Sequence, residues 1–209
     1  PDSSSDEGIT AAEYCNAYKE YIESEGLTVW EYAFIDINGD DIYELLLGGS
    51  CEAEGNVVLT YSKQGVNAFV TSRLGYNYIP GQNLFCNADG HMGYYYDNVY
   101  SIIDGKWQIV GEGSYSEQYD DNGEIVYDQN GNFLYKYTWN NMEVTKNNYY
   151  SSLAAVYDDT DAVRIPECMP AEKLMGVLQS GTPELTAYNR VYYEDSTDIH
   201  RYEIIVSDV

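Results

Sequence analysis

The sequence predicts an α+β domain. It reads as one helix at the start, a tyrosine-rich antiparallel sheet or meander, and C-terminal helices grouped against that sheet. Three observations carry this reading. Apolar residues recur at helical spacing near the start and again beyond residue 148. Between those segments the period falls to two, punctuated by Asn-Gly and Asp-Gly pairs that favour tight hairpin turns. And 24 of the 209 residues are tyrosine, which suits strands and half-buried surfaces. The length fits one domain, divided as a polar spacer over 1–8 and a single folded unit over 9–209.

Thr10-Ala11-Ala12-Glu13 is a capping box, in which the Thr oxygen takes an orphan amide and the Glu reaches back. Tyr14, Tyr18, Tyr21 and Ile22 then form one apolar stripe, and Gly26 stands where a left-handed cap ends a helix. Val29 to Ile35 reads as a strand, and Tyr43 to Leu47 as a second one buried on both faces. Val57–Ser62 and Val66–Arg73 flank a Lys-Gln-Gly turn. Leu84–Cys86 leads through a turn at Ala88-Asp89-Gly90 to the run Tyr94-Tyr95-Tyr96. Tyr100–Ile103 and Trp107–Val110 flank Asp104-Gly105. Residues 119–126 are echoed eight residues later at 127–134, each unit holding Asn-Gly, which reads as a meander of short strands running to Trp139. Helices are expected over 148–156 and 170–179, the second opening on Pro170 and stopped by Gly181 and Pro183. Strands at 191–193 and 202–206 close the chain.

Charge narrows the partners. Ten Lys and Arg stand against 35 Asp and Glu, a formal −25, and such a field repels nucleic-acid phosphates and anionic lipid headgroups. No apolar run is long enough to span a membrane. The Ser-rich opening Pro1–Gly8 is of the kind that follows a removed export signal or a lipid-anchored cysteine. The expectation is therefore an exported protein, extracellular or at the cell surface. Cys15, Cys51, Cys86 and Cys168 include no C-x-x-C pair, which argues against a zinc ribbon or a thioredoxin-like centre. They read as mostly buried thiols, with one bridge as the alternative.

The densest polar chemistry lies at Ile35–Leu45, "IDINGDDIYEL". Asp36, Asn38, Asp40 and Glu44 place side-chain oxygens at loop positions one, three, five and nine, and Ile42 offers its backbone carbonyl at position seven. Calcium takes six to eight oxygens in forgiving geometry, and three carboxylates in so short a loop repel one another without a cation. An EF-hand is excluded, because its twelfth position needs a bidentate Glu and here holds Leu47 within an apolar run. The other reading is a hairpin turn whose acids face water.

This pattern of Asp-x-Asn-Gly-Asp followed by Glu-Leu resembles the calcium loops of FG-GAP and VCBS-type repeats, which sit between two strands. The chain is also similar in style to a group of exported Gram-positive lipoproteins with an N-terminal helix, one such loop and a tyrosine-rich β-region. The resemblance implies a structural calcium held by Asp36, Asn38, Asp40, the Ile42 carbonyl and Glu44. Asp41 stands where that pattern has glycine; if the position needs a positive φ, an aspartate adopts it at some cost.

Catalytic patterns are sparse. His91 and His200 stand outside any metal-binding pattern, and no nucleophile elbow, Walker or dinucleotide motif occurs. The expected function is a non-catalytic binding or interaction protein, its partner a protein or a glycan. Tyr94, Tyr95, Tyr96, Trp107, Tyr115 and Trp139 would supply stacking faces for a carbohydrate. A glycosidase or other hydrolase built on paired carboxylates stays open.

Overall fold

A computed structural model describes residues 8–165, 167–192 and 201–205. Helix α1 (Ala11–Glu25) starts where the Thr10 hydroxyl accepts the Glu13 amide at 3.3 Å and ends on left-handed Gly26. The Glu13 carboxylate accepts the Tyr61 hydroxyl at 3.2 Å, so it links the helix to a strand. Four antiparallel strands follow: β1 (Glu31–Ile35), β2 (Glu44–Gly48), β3 (Val57–Ser62) and β4 (Gly65–Val70). All five residues of β2 are buried, as the apolar run Leu45–Leu47 predicts for its middle. A strand apolar on both faces needs cover on both sides.

That need decides the architecture. One face of the sheet, with Tyr32, Phe34, Leu45, Leu47 and Leu59, packs against the Tyr14, Tyr18 and Ile22 stripe of α1. The opposite face, with Ala33, Ile35, Leu46 and Val58, packs against Tyr76 and against Tyr78 and Phe85 of a second sheet. The second sheet runs through β5 (Asn77–Ile79), β6 (Leu84–His91), β7 (Tyr94–Ile103), β8 (Lys106–Glu117), β9 (Tyr135–Trp139) and β10 (Met142–Val144). Helix α2 (Lys146–Val156), capped by Thr145, lies on its far face. Strand β11 (Val163–Arg164) continues this sheet beside β5. Strand β12 (Met169–Pro170) crosses back to the edge of β1. Helix α3 (Leu174–Ser180) joins α1, and β13 (Tyr188–Tyr192) and β14 (Arg201–Ile205) close the second sheet.

The α+β expectation is corrected by this arrangement. The chain is mostly β, in two antiparallel sheets of five and nine strands, and its three helices are short. The late helices do not share one sheet: α3 covers the first and α2 the second. Three local expectations change as well. Pro170 pairs in β12 and caps a 3-10 turn over Ala171–Lys173, so the α-helix α3 begins only at Leu174. Ala88-Asp89-Gly90 is not a turn but runs inside β6, with Gly90 flat against the Tyr95 ring and the Asp89 carboxylate accepting the Gly75 amide. The 119–134 repeat forms only two isolated bridges, Tyr119 to Ile125 and Tyr127 to Phe133, each closed over an Asp whose carboxylate takes amides two and four residues on. Of the other expected features, Pro1–Glu7, Tyr193, His200 and Val206 lie outside the described residues.

A β-bulge sets which side chains meet α2. Val99 pairs with Gly111 and Tyr100 with Ile109, so Val110 is the extra residue. The insertion reverses the facing of β8. Trp107, before it, packs toward the first sheet with Phe69 and Phe85. Gly111 and Gly113, after it, lie against Trp139 and α2.

Candidate functional site

The 36–44 loop joins β1 to β2 at the seam between the two sheets. The Gly81 amide donates to the Asp36 carbonyl at 3.2 Å, and the Asn83 amide to the Ile37 carbonyl at 2.6 Å. Gly39, φ 74°, lies so near Gly81 that a Cβ there would approach the Gly81 Cα to 3.2 Å. Asp41 has φ 63°, a left-handed conformation, at the position where the resembling loops carry glycine.

Within the loop the polar side chains satisfy backbone amides. Asp36 Oδ1 accepts from Gly39 N at 2.7 Å, and Asp40 Oδ1 from Ile42 N at 2.8 Å. The Asn38 side-chain amide donates to Asp40 Oδ2 at 2.7 Å. Glu44 is different. Its side chain has 0% exposure; Oε2 accepts the Ile37 amide at 2.9 Å and Oε1 the Thr60 hydroxyl at 3.2 Å. Burial pushes the Glu44 carboxyl well above its ordinary range, and the charges of Asp40 and Asp36 push the same way. Burial also raises Asp36, with Asp41 adding to the effect and the Gly39 amide opposing it. Among the described residues no Lys or Arg forms an ion pair with Asp36 or Glu44.

The loop therefore brings Asp36, Asn38, Asp40 and Glu44 into one neighbourhood, with the Ile42 side chain buried beside them. As the side chains stand, no three His, Cys, Asp or Glu among the described residues converge into a metal-holding group. Each carboxylate has about four lone-pair sites, so the amide bonds leave Asp36 and Glu44 oxygen capacity for a cation. The oxygen-donor set, with Glu44 buried and Asp36 half-buried, fits a hard divalent ion.

The six aromatics singled out from sequence do not form one surface. Trp107 packs between the sheets, and Tyr96 is buried with its hydroxyl on the Ser72 carbonyl at 2.5 Å. Trp139 is buried edge-on to Tyr149, and Tyr94 is exposed. Tyr95 and Tyr115 do come together, stacked at 4.9 Å, and Tyr115 stacks on Tyr137 at 5.2 Å. With Tyr135 and Tyr150 these rings line a cleft of about 950 Å³. Tyr135, Tyr137 and Tyr150 were legible only as strand alternation and helix spacing; nothing in the sequence placed them opposite β8.

Under the other side of α2 lies a cavity of about 430 Å³, whose lining includes Asp97, Asp159, Tyr115, Tyr150 and Tyr157. Tyr149 donates its hydroxyl to Asp97 Oδ2 at 2.6 Å. Burial raises Asp97, the Tyr149 bond opposes that, and Asp159 adds to it; burial likewise raises Asp159. Neither carboxylate was singled out in the sequence, where each is one acid among 35.

Compared with protein-family models, curated proteins and solved structures, the chain matches none of them. No helix among the described residues is long and apolar enough to cross a membrane.

Proposed function

We propose that the chain is a binding or interaction protein whose first hairpin is held by one structural calcium ion, taken by Asp36, Asn38, Asp40, the Ile42 carbonyl and Glu44. The carrying observation is Glu44, a fully buried carboxyl beside two further acids and without a basic ion-pair partner among the described residues. Such a group takes either a proton or a cation. The ion would neutralise the loop's charge and stiffen the seam where Gly81 and Asn83 hold it to the second sheet. An extracellular or cell-surface location accords with this reading, since modest oxygen-donor sites load at calcium levels of about 10⁻⁴–10⁻³ M. Calorimetry of chelator-treated protein against CaCl₂ tests it: one saturable site and a raised thermal midpoint support it, and no heat with an unchanged midpoint removes it.

The tyrosine cleft favours a second reading, carbohydrate binding. Tyr95, Tyr135 and Tyr150 line the cleft together with Gln118, Asn132 and Glu143, the mix of aromatic and hydrogen-bonding groups that a sugar ring requires. A glycan array showing no enrichment would remove this reading and leave the calcium proposal standing.

A further inference from the structure

The cavity beneath α2 is separate from the calcium loop; it shares Tyr115 and Tyr150 with the tyrosine cleft, but its two acids line it alone. Its floor is the second sheet: Asn77 of β5, Cys86 and Ala88 of β6, and Asp97 of β7. Its wall is α2 and the turn after it, which contribute Tyr150, Leu153, Tyr157 and Asp159. The glycines of β8 fix the helix at this height. Gly113 faces the Tyr149 hydroxyl and Gly111 faces Val156, so α2 approaches closely there and Tyr149 reaches Asp97.

Two carboxylates share this space, and no Lys, Arg or His lines it. Among the described residues no Lys or Arg pairs with Asp97 or Asp159. The remaining lining is mostly apolar, with the tyrosine rings of β8 and α2 beside the acids. Aromatic faces attract a cation through the ring quadrupole, most strongly where water is excluded. Carboxylates in a half-dry site attract the same charge, and the chain's formal −25 raises the local concentration of cations. An anion would meet two acids here, and a neutral sugar would leave the acids uncompensated.

We propose that this cavity binds a small organic cation, an alkylammonium with an apolar body, with its charge at Asp97 and Asp159 and its methyl or methylene groups on Tyr115, Tyr150 and Tyr157. The volume, about 430 Å³, falls in the range of pockets that enclose small ligands. Burial raises both acids by penalising their bare charge, a penalty that a bound cation would offset.

The test uses choline chloride and n-butylamine as probes, with 3,3-dimethylbutan-1-ol as the uncharged isostere of choline, each titrated calorimetrically into the intact chain. At least one of the two cations is expected to bind at millimolar concentration or tighter, with the alcohol weaker by about tenfold or more. Asp159→Asn, at an exposed position, is expected to weaken the cation by about tenfold. Ala154→Trp, on the exposed rim of α2, is expected to block it while leaving the thermal midpoint unchanged. Failure of both cations to bind overturns the proposal. So does an alcohol that binds as well as choline, or binding that survives both substitutions in folded protein.

Discussion

Gly113 lies beneath the hydroxyl of Tyr149: a Cβ at Gly113 would fall 2.7 Å from that oxygen and 2.8 Å from the Trp139 ring. The absence of a side chain on β8 is what lets α2 settle and lets Tyr149 reach Asp97 across the sheet. Gly113→Ala must displace the buried, rigid Trp139 ring as well as a hydroxyl. A loss of about 1–3 kcal/mol is expected, the usual cost of overpacking a filled core, read from urea unfolding.

Tyr149→Phe isolates the hydrogen bond from the packing. At neutral pH it leaves the buried Asp97 carboxylate without its phenol donor, a loss of about 1–3 kcal/mol. The phenol opposes the upward shift of Asp97, so its removal lifts the folded-state value further. The loss should therefore shrink as pH falls through the raised folded-state value, where Asp97 becomes protonated in both folded proteins. Unfolding curves of both proteins at neutral and acid pH measure the difference.

Much of this was legible in the sequence, and the remainder has identifiable causes. The Thr10 cap, the Gly26 stop, the Asp104-Gly105 turn and the two-sided burial of β2 follow from local chemistry, and each is present. The second sheet was not legible as a separate layer, because strand alternation shows that a face is buried without showing what covers it. Val110 is the sharpest case: one bulged residue reverses β8, so Tyr115 faces α2 although Trp107, of the same parity, faces the first sheet. In the loop, spacing named Asp36, Asn38, Asp40 and Glu44 together. It did not show that Glu44 alone is buried, with its oxygens on Thr60 and Ile37.

Asp41 supplies an independent check on the loop. Its φ of 63° is strained for an aspartate, and its charge raises Asp36. Asp41→Gly relieves both effects but gives the unfolded chain more freedom, which offsets part of the gain. A net stabilisation of about 0.5–1 kcal/mol is expected in chelator-treated protein, from left-handed strain of about 1–2 kcal/mol less the entropy term. Thermal unfolding in chelator measures it.

The cysteines should separate by accessibility. Cys51 is exposed, whereas Cys15 and Cys86 are buried and their thiols are raised by that burial. A thiol reagent at neutral pH is expected to modify Cys51 at once. Cys15 and Cys86 should react only as the protein unfolds, which peptide mapping by mass spectrometry resolves.

Glu44 tests the central claim most directly. Its folded-state value lies well above its ordinary 4.5, so the folded chain binds a proton that the unfolded chain releases. The stability tied to that proton is complete below about pH 4.5 and is lost as pH rises through the folded value. The decisive measurement is the thermal midpoint between pH 4 and 8, in chelator and in CaCl₂, for the parent chain and for Glu44→Gln. In chelator the parent midpoint should fall as pH rises, and calcium should restore it at neutral pH. Glu44→Gln should flatten the chelator profile and lose most of the calcium response. A parent profile that calcium leaves unchanged, or a Glu44→Gln protein that responds to calcium as fully as the parent, would contradict the account.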